Sequence, residues 1–210
     1  CALQTAVADD ELYKESVAGK FHYFRYPIVD AAEDGPTHVA IATTRPETML
    51  GDTAVAVHPE PAAAMQRAID QQRQKVAAAP AKERADAEAE LARLEERAAD
   101  VVPALEAITA IARAGGKVEL PLTGRQIPIV VDEWADPTLG TGCVKITPAH
   151  DPNDYEVWRR HQHIGAVNML NPDGTVSKAG GKYAGLDRFA ARAEVLADLD
   201  AAGLLDRVED

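Results

Sequence analysis

Two stretches of the chain concentrate side chains that can do chemistry. The first is Ala42-Thr43-Thr44-Arg45-Pro46-Glu47-Thr48-Met49-Leu50-Gly51-Asp52-Thr53. The second is Gly140-Thr141-Gly142-Cys143-Val144-Lys145-Ile146-Thr147-Pro148-Ala149-His150-Asp151-Pro152-Asn153-Asp154. In the second, Lys145 and Thr147 fall on one side of a strand by its two-residue period, and His150, Asp151 and Asp154 follow at once. An ammonium, a hydroxyl, an imidazole and two carboxylates so close together can hold a polar ligand and orient a water. In the first, Arg45 stands among hydroxyls at Thr43, Thr44 and Thr48. A cation and hydroxyls beside unpaired backbone N–H groups suit a ribose, a phosphate or a carbonyl oxygen. Neither set requires a metal or a cofactor.

Each run also has a purely local reading. Thr44 and Glu47 fit a capping box, with Pro46 in the first turn and Gly51 ending a helix of one or two turns. Asp151 fits an N-cap, Pro152 the first helical position, and Asp154 a first-turn acid facing the helix dipole. Capping leaves Arg45 and the three threonines unexplained, and it does not account for Lys145, Thr147 and His150 converging on one loop. Other candidates are weaker. Cys143 lies in an apolar strand and reads as a small core residue, not a thiol nucleophile paired with His150. His161 and His163 lack a third ligand nearby, so no metal site is expected, and no Walker-type phosphate loop occurs.

Short strands must position these runs. His38–Thr43, Ala54–Val57, Lys117–Leu122, Gln126–Val131 and Cys143–Thr147 are rich in β-branched residues and punctuated by Pro, Gly and Asp. Val167–Leu170 leads into a turn at Asn171-Pro172-Asp173-Gly174, with a further short strand expected after it. Asp187 should cap a helix presenting Phe189, Ala193, Leu196 and Leu199, closed by Gly203. From Pro61 to Ala114 the composition changes to Ala, Glu, Arg and Gln without glycine. There Met65, Ile69 and Val76 share a face, and Leu91, Leu94, Ala98 and Val101 form a second stripe after a break at Pro80. Pro103 should break the run again, leaving a short helix through Leu105, Ile108 and Ile111. The expectation is an α+β domain on a curled, barrel-like sheet with peripheral helices, formed by residues 1–60 and 116–210. A helical hairpin is inserted at 61–115.

The chain's 210 residues suffice for one well-buried domain. Two cysteines, Cys1 and Cys143, make neither a disulfide framework nor a four-ligand zinc site, which points to a reducing, cytoplasmic setting. No apolar stretch is long enough to suggest a membrane span, and Cys1-Ala2-Leu3-Gln4 is unlike a signal sequence or a native start, so a piece of a larger protein is expected. The net charge of −12 excludes a general nucleic-acid binder, because such proteins neutralise phosphates with clustered Lys and Arg. A pocket admitting only a terminal nucleotide remains compatible with it.

The Thr-Thr-Arg-Pro-Glu-Thr and Gly-Thr-Gly-Cys-Val-Lys-Ile-Thr-Pro-Ala-His-Asp-Pro-Asn-Asp runs resemble the signatures of the editing domain of class I aminoacyl-tRNA synthetases for valine, isoleucine and leucine. Glu47 and the Val144–Thr147 strand resemble the valine branch; the likeness extends through Leu120-Pro121-Leu122, Ile127–Val130 and Gly181–Leu186. His163-Ile164-Gly165-Ala166 is only a chance echo of the family's nucleotide-binding signature. The resemblance implies hydrolysis of threonine misattached to the 3′ end of tRNA for valine, without cofactor, alongside the remaining domains of a parent synthetase. Editing for leucine or isoleucine, or a non-catalytic module binding the terminal adenosine, are the alternatives. By the same resemblance Asp154 binds the substrate ammonium, and Thr44, Arg45 and Thr48 hold the aminoacyl and adenosine moieties. Lys145, Thr147 and Asp151 position substrate, threonine hydroxyl and water, with His150 adjacent. Leu139 stands where the family often has an aromatic residue, and Trp158 where glycine is common.

Overall fold

The computed structural model describes residues 19–209; Cys1 and the first residues of the chain lie outside that range. Strands β1 (Phe21–Pro27), β2 (His38–Thr43) and β7 (Leu205–Glu209) form an antiparallel sheet in the order β2-β1-β7. A second sheet has the order β4-β5-β3-β6, from β3 (Ala54–Val57), β4 (Lys117–Leu120), β5 (Arg125–Val131) and β6 (Cys143–Ile146). Within it β3 and β5 run parallel, and the other pairs are antiparallel.

The barrel-like expectation is corrected. Among the described residues no sheet closes on itself; the two sheets are linked by the Ile28–Val118 bridge and the Val29 N–H donating to the Lys117 carbonyl, and β2 also lies against β6. With three and four strands, each sheet is too small to close on itself with the tilt and stagger that a barrel demands. The architecture is α+β, with two sheets and a long helix pair.

β3 is the pivot. Its Ala-Val-Ala-Val sequence alternates between two cores, Val55 and Val57 packing with Phe24, Ile41, Leu120 and Ile129, Ala54 and Ala56 with Ile146, Val157 and Ile164. A parallel β3–β5 pair requires a long crossover, and α1 (Pro61–Ala78) and α2 (Ala81–Arg113) lie in that connection. They pack through Met65, Ile69 and Leu94, while Leu105 and Ile108 of α2 enter the main core. The expected break at Pro103 does not occur: α2 is continuous over 33 residues. Pro103 and Ala99, whose carbonyl the missing N–H would have met, are both exposed, so water can take that carbonyl.

α3 (Pro152–Arg160) and α4 (Arg188–Ala201) begin at Asp151 and Asp187. The inward face of α4 differs from the expected one. Ala191, Val195 and Leu199 are buried, whereas Phe189 is exposed, with the Arg188 and Arg192 guanidiniums over its ring. The strand expected after the Asn171–Gly174 turn is reduced to two isolated bridges, Leu170–Val176 and Thr175–Asp187. No helix among the described residues is long and apolar enough to cross a membrane.

Candidate active site

The two polar runs meet. Thr43, Thr44, Arg45, Thr48, Lys145, Thr147, His150, Asp151 and Asp154 all line one open cleft of about 260 Å³, together with Phe21, Ala42, Trp134 and Val144. β2 delivers the first run and β6 the second. They are joined across the cleft by Arg45, whose Nη1 donates to the His150 carbonyl at 3.5 Å. Gly51 permits the approach: a Cβ there would fall 2.5 Å from Met169 Cγ and 3.3 Å from Thr147 Cγ2. Gly51 also ends the short Pro46–Gly51 helix, as the spacing suggests, so it serves both termination and close packing.

The Thr44–Glu47 capping box does not form. Pro46–Gly51 is a 3-10 turn flanked by Arg45, with no side-chain cap. Thr43 Oγ1 accepts from the Arg45 N–H at 3.1 Å, and Thr48 Oγ1 donates to the Arg45 carbonyl at 2.9 Å. Glu47, 1% exposed, accepts a two-pronged ion pair from Arg192 of α4 at 2.8 and 2.9 Å, with Arg45 Nε 3.7 Å away. A buried carboxylate needs such partners, and a guanidinium fork outcompetes a lone backbone N–H.

In the second run, Asp151 caps α3 as expected, its Oδ1 accepting from the Asn153 and Asp154 N–H groups at 2.8 and 3.3 Å. Asp154 turns inward, 6% exposed, and accepts from the Thr147 N–H at 2.8 Å. Burial drives its pKa up to about 6, against the pull of the Thr147 N–H and Lys145. His150 Nε2 accepts from the Met169 N–H at 2.8 Å, which puts the ring proton of a neutral imidazole on Nδ1. Burial, Arg45 and Lys145 all lower its pKa and so favour that neutral form.

Asp52 is the residue that sequence reading leaves without a role. Fully buried, it accepts from Tyr26 Oη at 2.8 Å, Lys145 Nζ at 3.0 Å and Thr147 Oγ1 at 2.7 Å. Burial raises its pKa while these three partners oppose the rise. Lys145 Nζ also donates to Thr147 Oγ1, closing a triangle. The antiparallel β3–β6 register, Ala54 opposite Ile146, brings Asp52 to this pair; the only prior signal is an acid two residues before a strand. The loop entering β6 is tied to α2, where Arg97 donates to the carbonyls of Pro137, Leu139 and Gly140 at 2.9 to 3.0 Å.

The remaining candidates lie elsewhere. Cys143 is buried in the core, its thiol pushed up to about 12 by burial alone. His161 is bound to Asp132 at 3.0 Å, and Leu139 is 65% exposed outside the cleft lining. Chemically, the cleft offers a buried carboxylate, a carboxylate with one unengaged oxygen, a neutral imidazole and two cations beside several threonines. Such a set can hold an ammonium and a hydroxyl and orient water at an ester.

The family model described as "Leucyl-tRNA synthetase, editing domain" matches residues 24–184. A protein named Valine--tRNA ligase from Rhodopirellula baltica is 50% identical over 208 residues, covering 99% of this chain and 20% of that protein. Another of that name, from Thermosynechococcus vestitus, is 42% identical over 209 residues, covering 100% of this chain and 17% of that protein. The chain thus spans about a fifth of the length of the curated relatives it matches. A solved structure, "The crystal structure of GlLeuRS-CP1", shares the fold at a TM-score of 0.54 and 13% identity, covering 91% of this chain and 99% of that one. With both polar runs inside the matched segment and on one cleft, the chain belongs to the editing-domain family of class I aminoacyl-tRNA synthetases.

Proposed function

We propose that the cleft hydrolyses the ester joining threonine to the 3′ end of tRNA for valine, as the proofreading domain of a valine-tRNA ligase. The observation that carries this reading is the convergence of Arg45 and Asp154, remote in sequence, on one small polar cleft. The relatives named Valine--tRNA ligase support valine over leucine or isoleucine as the cognate amino acid. Asp154 receives the α-ammonium, which selects an aminoacyl ester over a peptidyl one. An aminoacyl ester is already activated, so an oriented water and stabilised oxyanion suffice. Arg45 and the threonines of the first run hold the terminal ribose and the carbonyl.

Threonine and valine are nearly isosteric, and an apolar synthetic pocket cannot strongly reject the added hydroxyl; valine-charging enzymes are themselves the standing example of this limit. An editing pocket must therefore recognise that hydroxyl. Thr147 is a poor partner for it, because its Oγ1 already donates to Asp52 and accepts from Lys145. Both backbone donors on Asp151 bind Oδ1, which leaves Oδ2 as acceptor for the threonine hydroxyl. Valine would leave that oxygen desolvated and unpaired.

The test is deacylation of preformed threonyl- and valyl-tRNA by the full-length enzyme carrying this domain. Asp154→Ala is expected to abolish threonyl-tRNA hydrolysis. Asp151→Ala should cut the threonine-over-valine preference by about tenfold or more, the cost of one unmade hydrogen bond to a charged group. Full hydrolysis by Asp154→Ala would refute the assignment.

A further inference from the structure

We propose that Trp134 is the platform on which the nucleobase of the 3′-terminal nucleotide stacks, a positioning residue for the ester; this rests on the hydrolytic reading above. Trp134 is one of two tryptophans in the chain, and it is 43% exposed while lining the cleft. Its exposure is imposed by an anchored turn. Asp132, 6% exposed, accepts from the Trp134 N–H at 2.9 Å, from Arg160 at 2.8 and 2.9 Å, and lies 3.0 Å from His161 Nε2. On the other side Ala135 is fully buried in the second core. The indole is thus held out between two fixed neighbours. It also lines a separate groove with Pro59, Arg160 and His161, so it forms a partition between two openings.

The occupant follows from chemistry. The ester sits on the ribose that also carries the base, so a substrate whose ammonium reaches Asp154 places its base within a sugar's width of the reacting carbonyl, at the cleft wall. Neither cation of the cleft is left for the base: Lys145 is paired with Asp52, and Arg45 is the group assigned above to the ribose and the carbonyl. A nucleobase has a π-face that needs no charge, and an exposed indole is its best partner. Phe21, 48% exposed, is the cleft's other aromatic lining residue and serves as the internal control.

The probe is an uncharged CCA trinucleotide with 2-aminopurine as its last base, whose fluorescence falls on stacking, titrated into the 210-residue protein. We expect quenching by wild type, and about tenfold or greater loss of affinity in Trp134→Ala and in Trp134→Leu, which keeps apolar bulk without a π-face. Trp134→Phe should retain most of the affinity, and Phe21→Ala should stay near wild type. No quenching by wild type, wild-type affinity in Trp134→Leu, Trp134→Phe as weak as Trp134→Leu, or loss in Phe21→Ala alone would each overturn the proposal. Quenching by a protein whose parent enzyme leaves threonyl-tRNA intact refutes the hydrolytic reading and not the stacking. Hydrolysis with Trp134 variants unchanged in both assays refutes the stacking alone.

Discussion

At the scale of single residues, the burial of the Asp154 carboxyl carries a cost to folding. Burial penalises its charge and pushes the carboxyl pKa up to about 6, well above the usual carboxylate range. The folded state therefore binds the proton more tightly than the unfolded chain does. The group favours folding fully below the unfolded pKa, and that contribution is lost as the pH rises through about 6. Asp154→Asn keeps an oxygen for the Thr147 N–H and removes the buried charge. It is expected to raise stability by about 1–3 kcal/mol at about pH 8, with the gain shrinking toward about pH 5, where the native acid is itself protonated. Urea unfolding at the two pH values measures this. The same variant should lose ester hydrolysis, and wild-type activity should fall as pH drops through about 6. A variant no more stable than wild type at the higher pH would show that the ionised carboxylate is fully compensated.

At the scale of elements, the features that local periodicity controls were legible and those set by pairing were not. β2, β3, β5 and β6 lie where their β-branched runs place them, and α3 and α4 start at the aspartates read as caps. The convergence of nine polar residues was anticipated only because both runs carry chemistry that a single turn does not need. Asp52 and the Glu47–Arg192 pair were not visible, since each partner comes from an element whose neighbour no local pattern specifies. β1 and β7 escaped for the same reason, and the face of α4 shifted because Phe189 is shielded by arginines instead of core. Pro103 misled because a proline's cost depends on whether the orphaned carbonyl is wet. Exposure of that site predicts that Pro103→Ala, restoring the N–H to the Ala99 carbonyl, stabilises the protein by about 1–3 kcal/mol in thermal or urea unfolding. A loss of stability would instead mean that a bend at Pro103 is needed to bring Leu105 and Ile108 from the hairpin into the main core.

At the scale of the molecule, the charge distribution limits how the cleft would engage the RNA end that the proposed function assigns to it. The chain carries −12 overall, and the two cations at the cleft are paired with or flanked by acids. Such a surface repels a phosphate backbone at long range, so the proposed function requires recognition that is short-ranged and confined to the last nucleotide. A further cation, Arg97 of α2, is used on the carbonyls of the Pro137–Gly140 loop, fixing that edge of the second run. The quantity that reports this is the salt dependence of binding. Each phosphate neutralised on a single strand contributes about −0.7 to the slope of log affinity against log salt, so one or two contacts give a slope of about −1. Titrating a CCA-ended oligonucleotide into the protein between about 50 and 200 mM salt should therefore change its affinity only a few-fold. A slope of about −4 or steeper would require a basic track along the strand, which the acidic surface and paired cations argue against, and it would move the main RNA contact away from the cleft.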